Sequence, residues 1–463
     1  MIKALAWLKR KKILGRVFSL VAIIVFVFYL LWVHGLLRVE LLEYTAKALT
    51  ENWIVVILAA SLLATPLALA AVGECMNERA GLFNIGLEGI FFLTVVIGVL
   101  GAERPTIALD AGAGAGAVIG SLAAFAITKK FAVAEKLGRL LGGFAKLVAA
   151  SVGGLAVGLI WYFILPRIIP EWWSGIAGLL VGAITGALIG FRFPKLVPTF
   201  VGCLAGGVIG HYIMAIVIVG LGGGVAGLLV GAITGALIGF IFSVLAIYLR
   251  ANQVVLGMGI NIFAMGMLAY LLVAIWAYPG IHSVRPVFHI PKMLGYLTPV
   301  FFVAIIAAIL AHIFLHRTLF GLRIRATGEK PEAVDVAGVR VDQIRILTCT
   351  VGAALCGLGG AFFALGWFGE IVKEMAVGMG FIALACVVVA GLEPLLALGI
   401  AFVFGFVRVL ADWVATMPGI SAVLPGAFYL MNMVPFIITL LVVTIFIRRR
   451  RFPRALGKPY VRE

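Results

Sequence analysis

The sequence predicts an all-α fold, a polytopic bundle of membrane-spanning helices. Hydrophobic residues make up 64% of the 463 positions and charged residues only 12%, roughly half the charged fraction of a soluble domain. The apolar residues form long runs without Asp, Glu, Lys or Arg, such as 254–281 and 346–369. Because a helix of about 20 apolar residues crosses the hydrocarbon core and satisfies its own backbone groups, these runs predict membrane spans.

Hydropathy along the chain predicts about 14 spans. They lie near residues 17–37, 53–73, 86–102, 108–128, 145–166, 174–191, 198–219, 224–249, 254–279, 298–315, 346–369, 376–392, 394–411 and 429–447. The first run follows a basic start, as in a secretory signal. It lacks a small-x-small cleavage site, so we interpret it as an uncleaved anchor.

The basic residues indicate how the spans are oriented. The chain has a net charge of +17, and its 36 Lys and Arg residues cluster at the ends of the apolar runs. If the amino terminus is cytoplasmic, 28 of the 36 lie on the cytoplasmic side, 7 lie on the opposite side and Arg408 falls within a span. This bias predicts a multi-pass protein of the cell membrane with both termini in the cytoplasm. The positive charge therefore indicates how the spans are oriented in membrane lipid. Nucleic acid is not a predicted partner.

A glycine-rich repeat marks the middle of the chain. The sequence AGLLVGAITGALIGF occurs at 177–191 and again at 226–240, and 111–125 is a looser relative. Small residues four apart lie on one helix face, where two backbones can approach closely. We interpret the repeat as a tight packing surface. A substrate conduit is the alternative.

The longest charged excursion, 316–345, contains the sequence PEAVDVAG, which predicts a short helix. Pro331 suits the first helical position, Glu332 complements the positive helix end, and Gly338 suits the stop. Apolar side chains such as that of Ala333 gain nothing from exposure to water. The segment is therefore typical of a short helix that projects from a loop and docks into a groove of another protein. An ordinary solvated loop is the alternative.

Four stretches resemble one family. They are GECMNERAGLFNIGLEGIFF at 73–92, LRANQVVLGMGINIFAMGM at 249–267, LRIRATGEKPEAVDVAGVRV at 322–341, and GMGFIALACVVVAGLEPLLALGIAFVFG at 378–405. Together they are similar to the ABC-importer permeases that serve ribose, branched-chain amino acids and nucleosides, and most closely to the nucleoside branch. The resemblance covers about residues 50–128 and 224–447. The sequence departs from it at 389–394, VAGLEP, where relatives tend to show F-G-x-W-x-P.

The resemblance implies the membrane-spanning subunit of an importer that translocates a small polar solute, a nucleoside being the closest match. It implies three partners: a cytoplasmic ATP-binding subunit, a second permease subunit of the same or a homologous kind, and an extracytoplasmic solute-binding protein. Contact with the ATP-binding subunit is assigned to the predicted docking segment, with residues Gly328, Glu329, Pro331, Ala333, Asp335 and Gly338. The chain has no G-x-x-x-x-G-K-[ST] phosphate loop. We therefore expect that it is not an enzyme and that ATP hydrolysis takes place in a partner chain.

Other functions stay open. A self-sufficient secondary transporter or channel is the main alternative, although such transporters cluster intramembrane carboxylates and this chain scatters them. An ABC permease for a simple sugar or a branched-chain amino acid is another alternative, and a membrane enzyme comes third. The six His residues are scattered, and the sequence predicts no metal site and no cofactor.

The usual permease of this family has about ten spans, fewer than the 14 predicted here. We therefore divide the chain into a permease core, an insert and a tail. Residues 1–128 and 224–447 form the predicted permease core, and 448–463 a basic cytoplasmic tail. Residues 129–223 form an insert, which we count as about four spans because about ten of the 14 belong to the core, although three of the 14 lie wholly within these bounds. We expect the insert to lie outside the translocation path. An even number of inserted spans keeps the docking segment cytoplasmic.

Polar residues inside spans are costly and therefore informative. Asn84 and Glu88 lie four apart on one helix face, and Asn261 lies within the run 254–281. These three residues are candidates for the solute pathway. Alternatively, they tie helices together or break one at a re-entrant turn. We also expect two ion pairs, Glu78 with Arg79 and Arg408 with Asp412.

Overall fold

A computed structural model of the protein describes residues 39–116, 210–416 and 452–460, apart from positions 279, 294, 374 and 377, with a few isolated positions elsewhere. Side chains are described from residue 53 onward. The predicted spans near 17–37, 145–166 and 174–191 lie outside these residues. So do nearly all of 429–447, most of the predicted insert and the first copy of the glycine repeat.

The described residues form twelve main helices and a two-stranded antiparallel sheet. The helices are α1 (Val39–Arg79), α2 (Leu87–Glu103), α3 (Pro105–Gly116), α4 (Gly210–Leu221), α5 (Gly223–Tyr248), α6 (Gln253–Trp276), α7 (Pro299–Arg317), α8 (Leu319–Glu329), α9 (Pro331–Val336), α10 (Val341–Phe362), α11 (Met379–Ala390) and α12 (Pro394–Thr416). A π-helical turn, Phe363–Phe368, continues α10. Strands β1 (Ile281–Ser283) and β2 (Glu370–Val372) pair with Ile281 opposite Val372.

Six helices within the described residues are long and apolar enough to cross a membrane: α1 from Trp53, α5, α6, α7, α10 with its π turn, and α12. They confirm the predicted spans near 53–73, 224–249, 254–279, 298–315, 346–369 and 394–411. The all-α membrane class is confirmed as well, since the only strands described are three residues long.

Two parts of the span prediction differ from the structure. The region predicted as spans 86–102 and 108–128 is described as far as residue 116; over that part α2 and α3 bend by 114° at Arg104 and together count as at most one span. The predicted span 376–392 is wrong, because only the twelve residues of α11 are helical there. Twelve residues rise about 18 Å, well short of a hydrocarbon core of about 30 Å. Gly378 and Gly391, both with positive φ, flank this helix.

Helices α1 and α10 form the centre of the bundle. The most apolar stretches of α1 and α10 are 72% and 67% buried, whereas that of α6 is only 17% buried. Helix α6 therefore has an apolar outer face suited to lipid. Helix α5 presents the second copy of the glycine repeat to α10. A Cβ added to Gly231 or Gly239 would meet Ala361 or Ala353 of α10. The packing interpretation of this copy is therefore supported.

The bundle has two distinct ends. At one end, here called the loop end, lie the carboxyl ends of α1 and α7, the helices α8 and α9, and the segment 452–460. At the other, the hairpin end, lie β1 and β2. There Glu103 accepts a hydrogen bond from Trp276 Nε1 at 3.2 Å and lies 3.1 Å from His282 Nε2, which joins α2, α6 and β1.

Candidate functional site

Two helices begin inside the bundle rather than at its surface. A Cβ on Gly380, in the first turn of α11, would meet the backbone of Glu88, in the first turn of α2. Helix α11 runs from this point to the loop end, a rise of about 18 Å. The two helix starts therefore meet about halfway through the bundle. Helix starts carry free N–H groups and partial positive charge, and in several transporters such half-helix starts surround the substrate site.

The three residues predicted to line the pathway lie together at this helix junction. Glu88 is buried, and its Oε1 accepts a hydrogen bond from Gly378 N–H at 3.0 Å. Asn261, on α6, accepts from Gly89 N–H at 2.7 Å and donates to the Ile85 carbonyl at 3.0 Å.

Asn84 belongs to the same junction, and its Oδ1 accepts from Gly86 N–H at 2.9 Å. The side chains of Asn84 and Asn261 thus fix the chain where α2 begins. Within the described residues, the buried Glu88 Oε2 has no hydrogen-bond partner, so this oxygen is left for another group.

Two further carboxylates of α1 lie beneath the junction. Glu74 accepts from Asn84 N–H at 2.9 Å and from Asn77 Nδ2 at about 3.1 Å. Glu78 is fully buried, and neither of its oxygens has a partner among the described residues. The spacing of Glu74 and Glu78 places them on one helix face, and this i,i+4 spacing is visible in the sequence.

The predicted Glu78–Arg79 ion pair is wrong. Arg79 Nη2 instead contacts Glu393 Oε1 at 2.6 Å, and its Nε donates to the Leu392 carbonyl. The reason is geometric, since adjacent residues on a helix point in different directions. The predicted Arg408–Asp412 pair, four residues apart, is confirmed at 3.1 Å.

The predicted docking segment forms a short helix within the loop end. Helix α9 begins at Pro331 and ends at Val336. Beyond it, Gly338 adopts φ +79° and its N–H donates to the Asp335 carbonyl, while Val339 N–H donates to Val334. This pair of bonds is a Schellman stop, and it requires the left-handed conformation that glycine adopts at low cost.

One face of α9 is held by the protein and the other is free. Pro331 and Val334 are buried, whereas Ala333 is exposed and Val336 is 90% exposed. Glu329, at the end of α8, is exposed as well. Thus α9 packs by its inner side and leaves an apolar outer side without cover from the described chain.

Helices α8 and α9 enclose a groove of about 610 Å³. Apolar residues, including Leu322, Ala326, Ala333, Val334 and Ala337, line it. The charged residues along the groove are Arg323, Glu329, Lys330 and Arg454. The groove therefore combines apolar surface with both signs of charge, as protein-docking surfaces do.

The segment 452–460 packs against the loop end. Its backbone donates from Ala455 to the Gly328 carbonyl at 2.9 Å and from Gly457 to Gly81 at 3.0 Å. Gly328 also lies against the backbone of Arg79, with no room for a Cβ.

Two side chains complete this contact. Arg345, 2% exposed, donates to the carbonyls of Lys458 and Ala80, both at 3.1 Å. The Tyr460 hydroxyl donates to Asp335 Oδ2 at 3.1 Å. The sequence predicted only a basic tail at 448–463, because no local pattern in the tail indicates these distant partners.

Sequence comparisons relate the chain to known transport permeases. A family model described as the permease component of the branched-chain amino acid transport system matches residues 202–443. The chain is 33% identical over 233 residues to the guanosine ABC transporter permease NupQ of Bacillus subtilis, covering 48% of this chain and 72% of the relative.

Two further relatives are informative. The nucleoside ABC transporter permease NupC of Lactococcus lactis is 29% identical, over 48% of this chain and 72% of its own length. The putative glucose ABC transporter permease TsgC13 of Haloferax volcanii is 31% identical over 36% of this chain and 54% of its own. No solved structure matches the chain significantly. The matched family model spans more than half of the sequence, and the chain is a member of the branched-chain amino acid transport permease family.

Proposed function

We propose that this permease is the membrane-spanning subunit of an ABC importer and that an ATP-binding subunit docks on α8 and α9. The groove between these helices is the observation that carries the proposal. Its apolar lining and the 90% exposed Val336 make a surface suited to a partner. In this proposal Gly328, Pro331, Asp335 and Gly338 shape the docking surface, and Glu329 and Ala333 face the partner.

The loop end is cytoplasmic in this proposal, because the positive-inside bias places 316–345 and 448–463 on the cytoplasmic side. The hairpin end then faces the extracytoplasmic solute-binding protein, and a second permease subunit completes the pathway. Glu103, Trp276 and His282 would hold the hairpin end in shape for that contact.

The proposed solute is a nucleoside. The names of NupQ and NupC support this choice, while the putative glucose permease supports a simple sugar as the second candidate. Uptake of radiolabelled guanosine, glucose and leucine by the assembled transporter separates the candidates. Guanosine uptake that unlabelled nucleosides inhibit and glucose does not is the expected result.

The helix junction shapes the pathway in this proposal. Asn84 through its Oδ1, and Asn261 through both of its side-chain polar atoms, bind backbone groups of the segment 85–89, which supports a positioning role rather than direct solute binding. Glu88 Oε1 binds the Gly378 N–H at the start of α11. In this proposal Oε2 is free to bind the solute, or another polar group, during transport.

The substitution Ala333→Arg tests the docking proposal. An arginine at this exposed lining position places a bulky charge in the groove, while a solvated loop would tolerate it. Leu249→Arg is the matched control, because Leu249 is 70% exposed, adjoins Arg250 and does not line the groove. We expect Ala333→Arg to abolish copurification of the ATP-binding subunit and solute uptake with normal membrane insertion. Undiminished copurification with Ala333→Arg would contradict docking at this groove.

A further inference from the structure

Two histidines and a glutamate converge at the loop end outside the groove. His312 and His316 are four apart near the end of α7, and Glu393 lies in the turn between α11 and α12. His312 Nδ1 is 3.6 Å from Glu393 Oε2, and His316 Nε2 is 3.4 Å from Glu393 Oε1. One ligand atom from each residue lies within 4.8 Å of the other two.

These separations are too long for hydrogen bonds, which in proteins join N and O at about 2.7–3.2 Å. They match the distances between ligands around one metal ion. With Zn–N and Zn–O bonds of about 2.1 Å, tetrahedral ligand atoms lie roughly 3.4 Å apart. Two imidazoles and a carboxylate are also a ligand set that suits zinc.

The hydrogen bonds around the cluster orient the ligand atoms. His316 Nδ1 is 3.0 Å from the His312 carbonyl. A carbonyl only accepts, so Nδ1 carries the proton and leaves the Nε2 lone pair for a ligand in the neutral ring. His312 Nδ1 is buried and has no hydrogen-bond partner among the described residues.

Arg79 is the one fixed cation in contact with the cluster in the described structure. It binds Glu393 Oε1 at 2.6 Å and the Leu392 carbonyl. A carboxylate has two oxygens with about four lone-pair sites, so the bond to Arg79 leaves sites on both Oε1 and Oε2 of Glu393 for a metal. Arg79 then plays the supporting part that hydrogen-bond partners play for ligating carboxylates.

We propose that His312, His316 and Glu393 bind a divalent transition-metal ion, zinc being the best fit. Three protein ligands leave a fourth position for water. The side chains are about 27–37% exposed, so an ion can reach them. A bound ion would join the end of α7 to the turn before α12, and Arg79 extends the connection to α1. This site is independent of the proposed transport function.

Cobalt(II) is the probe, because its visible absorption distinguishes tetrahedral from octahedral coordination. The full chain is purified without a polyhistidine tag and titrated with Co²⁺, then with competing Zn²⁺. We expect one tetrahedral Co²⁺ per chain, displaced by Zn²⁺, and a rise in melting temperature with Zn²⁺. His316→Ala should weaken binding at least tenfold. Glu393→Gln, which keeps an oxygen for Arg79, should do the same with little loss of fold.

Two variants make the test specific. His316→Cys replaces one ligand with another, so it should restore binding and add a thiolate charge-transfer band. His282→Ala removes a histidine that contacts a single carboxylate at the hairpin end, and it should leave binding unchanged. Octahedral Co²⁺, or equal binding by wild type and His316→Ala, would overturn the proposal.

Discussion

The Glu88 carboxylate accepts a hydrogen bond from the Gly378 N–H, 290 positions further along the chain, at 3.0 Å. This bond joins the first turn of α2 to the residue that precedes α11. Both helices begin inside the bundle, away from bulk water, where free N–H groups need partners from the protein. Glu88, in the first turn of α2, therefore accepts a hydrogen bond from a free N–H group at the start of α11.

We expect Glu88→Gln and Glu88→Ala to differ. Glutamine retains an acceptor for Gly378 N–H, whereas alanine leaves that donor unpaired at a cost of about 1–2 kcal/mol. Thermal unfolding in detergent should show a clear loss of stability for Glu88→Ala and a small one for Glu88→Gln. If glutamine instead keeps full stability and loses uptake, the charge on Glu88 acts on the solute.

Local chemistry made α9 predictable from the sequence. Proline at the start and glycine at the stop act within one turn of the chain, and the structure places Pro331 and Gly338 accordingly. The long spans were predictable because hydropathy over 20 residues depends little on packing.

Long-range contacts were not predictable in this way. The partner of Arg79 lies 314 positions away, and no local pattern indicates it. Hydropathy also cannot distinguish the half-helix α11 from a span, because the uncharged run 376–392 that contains it is as long as a short span. The i,i+4 spacing of His312 and His316 was visible in the sequence, but Glu393 comes from a distant turn.

The stop of α9 can be tested at Gly338. Alanine is strained by roughly 1–2 kcal/mol at positive φ, whereas asparagine tolerates this conformation. A six-residue helix has little stability of its own. Gly338→Ala should therefore reduce copurification of the ATP-binding subunit, and Gly338→Asn should largely preserve it. Equal recovery of both would show that the stop does not matter for docking.

The glycine face of α5 can be tested at Gly231. A leucine there would collide with Ala361 of α10, since an added Cβ already lies too close to that residue. Gly259 of α6 is the matched control, because nothing lies within 4 Å of its Cβ position. We expect Gly231→Leu to lose the folded, monodisperse protein in size-exclusion chromatography and Gly259→Leu to retain it. Retention by both would contradict close packing of α5 on α10.

The orientation of the chain rests on the distribution of Lys and Arg. Single cysteines introduced near residues 330 and 455 should react only with reagents that cross the membrane. Cysteines near 45 and 290 should react with impermeant reagents added outside whole cells. External labelling near 330 would contradict both the topology and the docking proposal.

The segment 452–460 provides the last test, because it connects three parts of the loop end. It hydrogen-bonds to Gly81, Gly328 and Asp335, and Arg345 donates to its Lys458 carbonyl. Each such bond contributes roughly 1 kcal/mol, and removal of the segment would leave the buried Arg345 with one partner fewer.

Truncation after residue 451 should therefore loosen α8 and α9 and remove Arg454 from the groove. We expect it to lower melting temperature and reduce copurification of the ATP-binding subunit. Truncation after Tyr460 is the matched control, because it retains every contact named above. Tyr460→Phe, which removes the hydroxyl bond to Asp335 and leaves the backbone bonds of the segment in place, should have a smaller effect than truncation after residue 451. Normal stability and full copurification after truncation at 451 would mean that the segment packs on the loop end without supporting it.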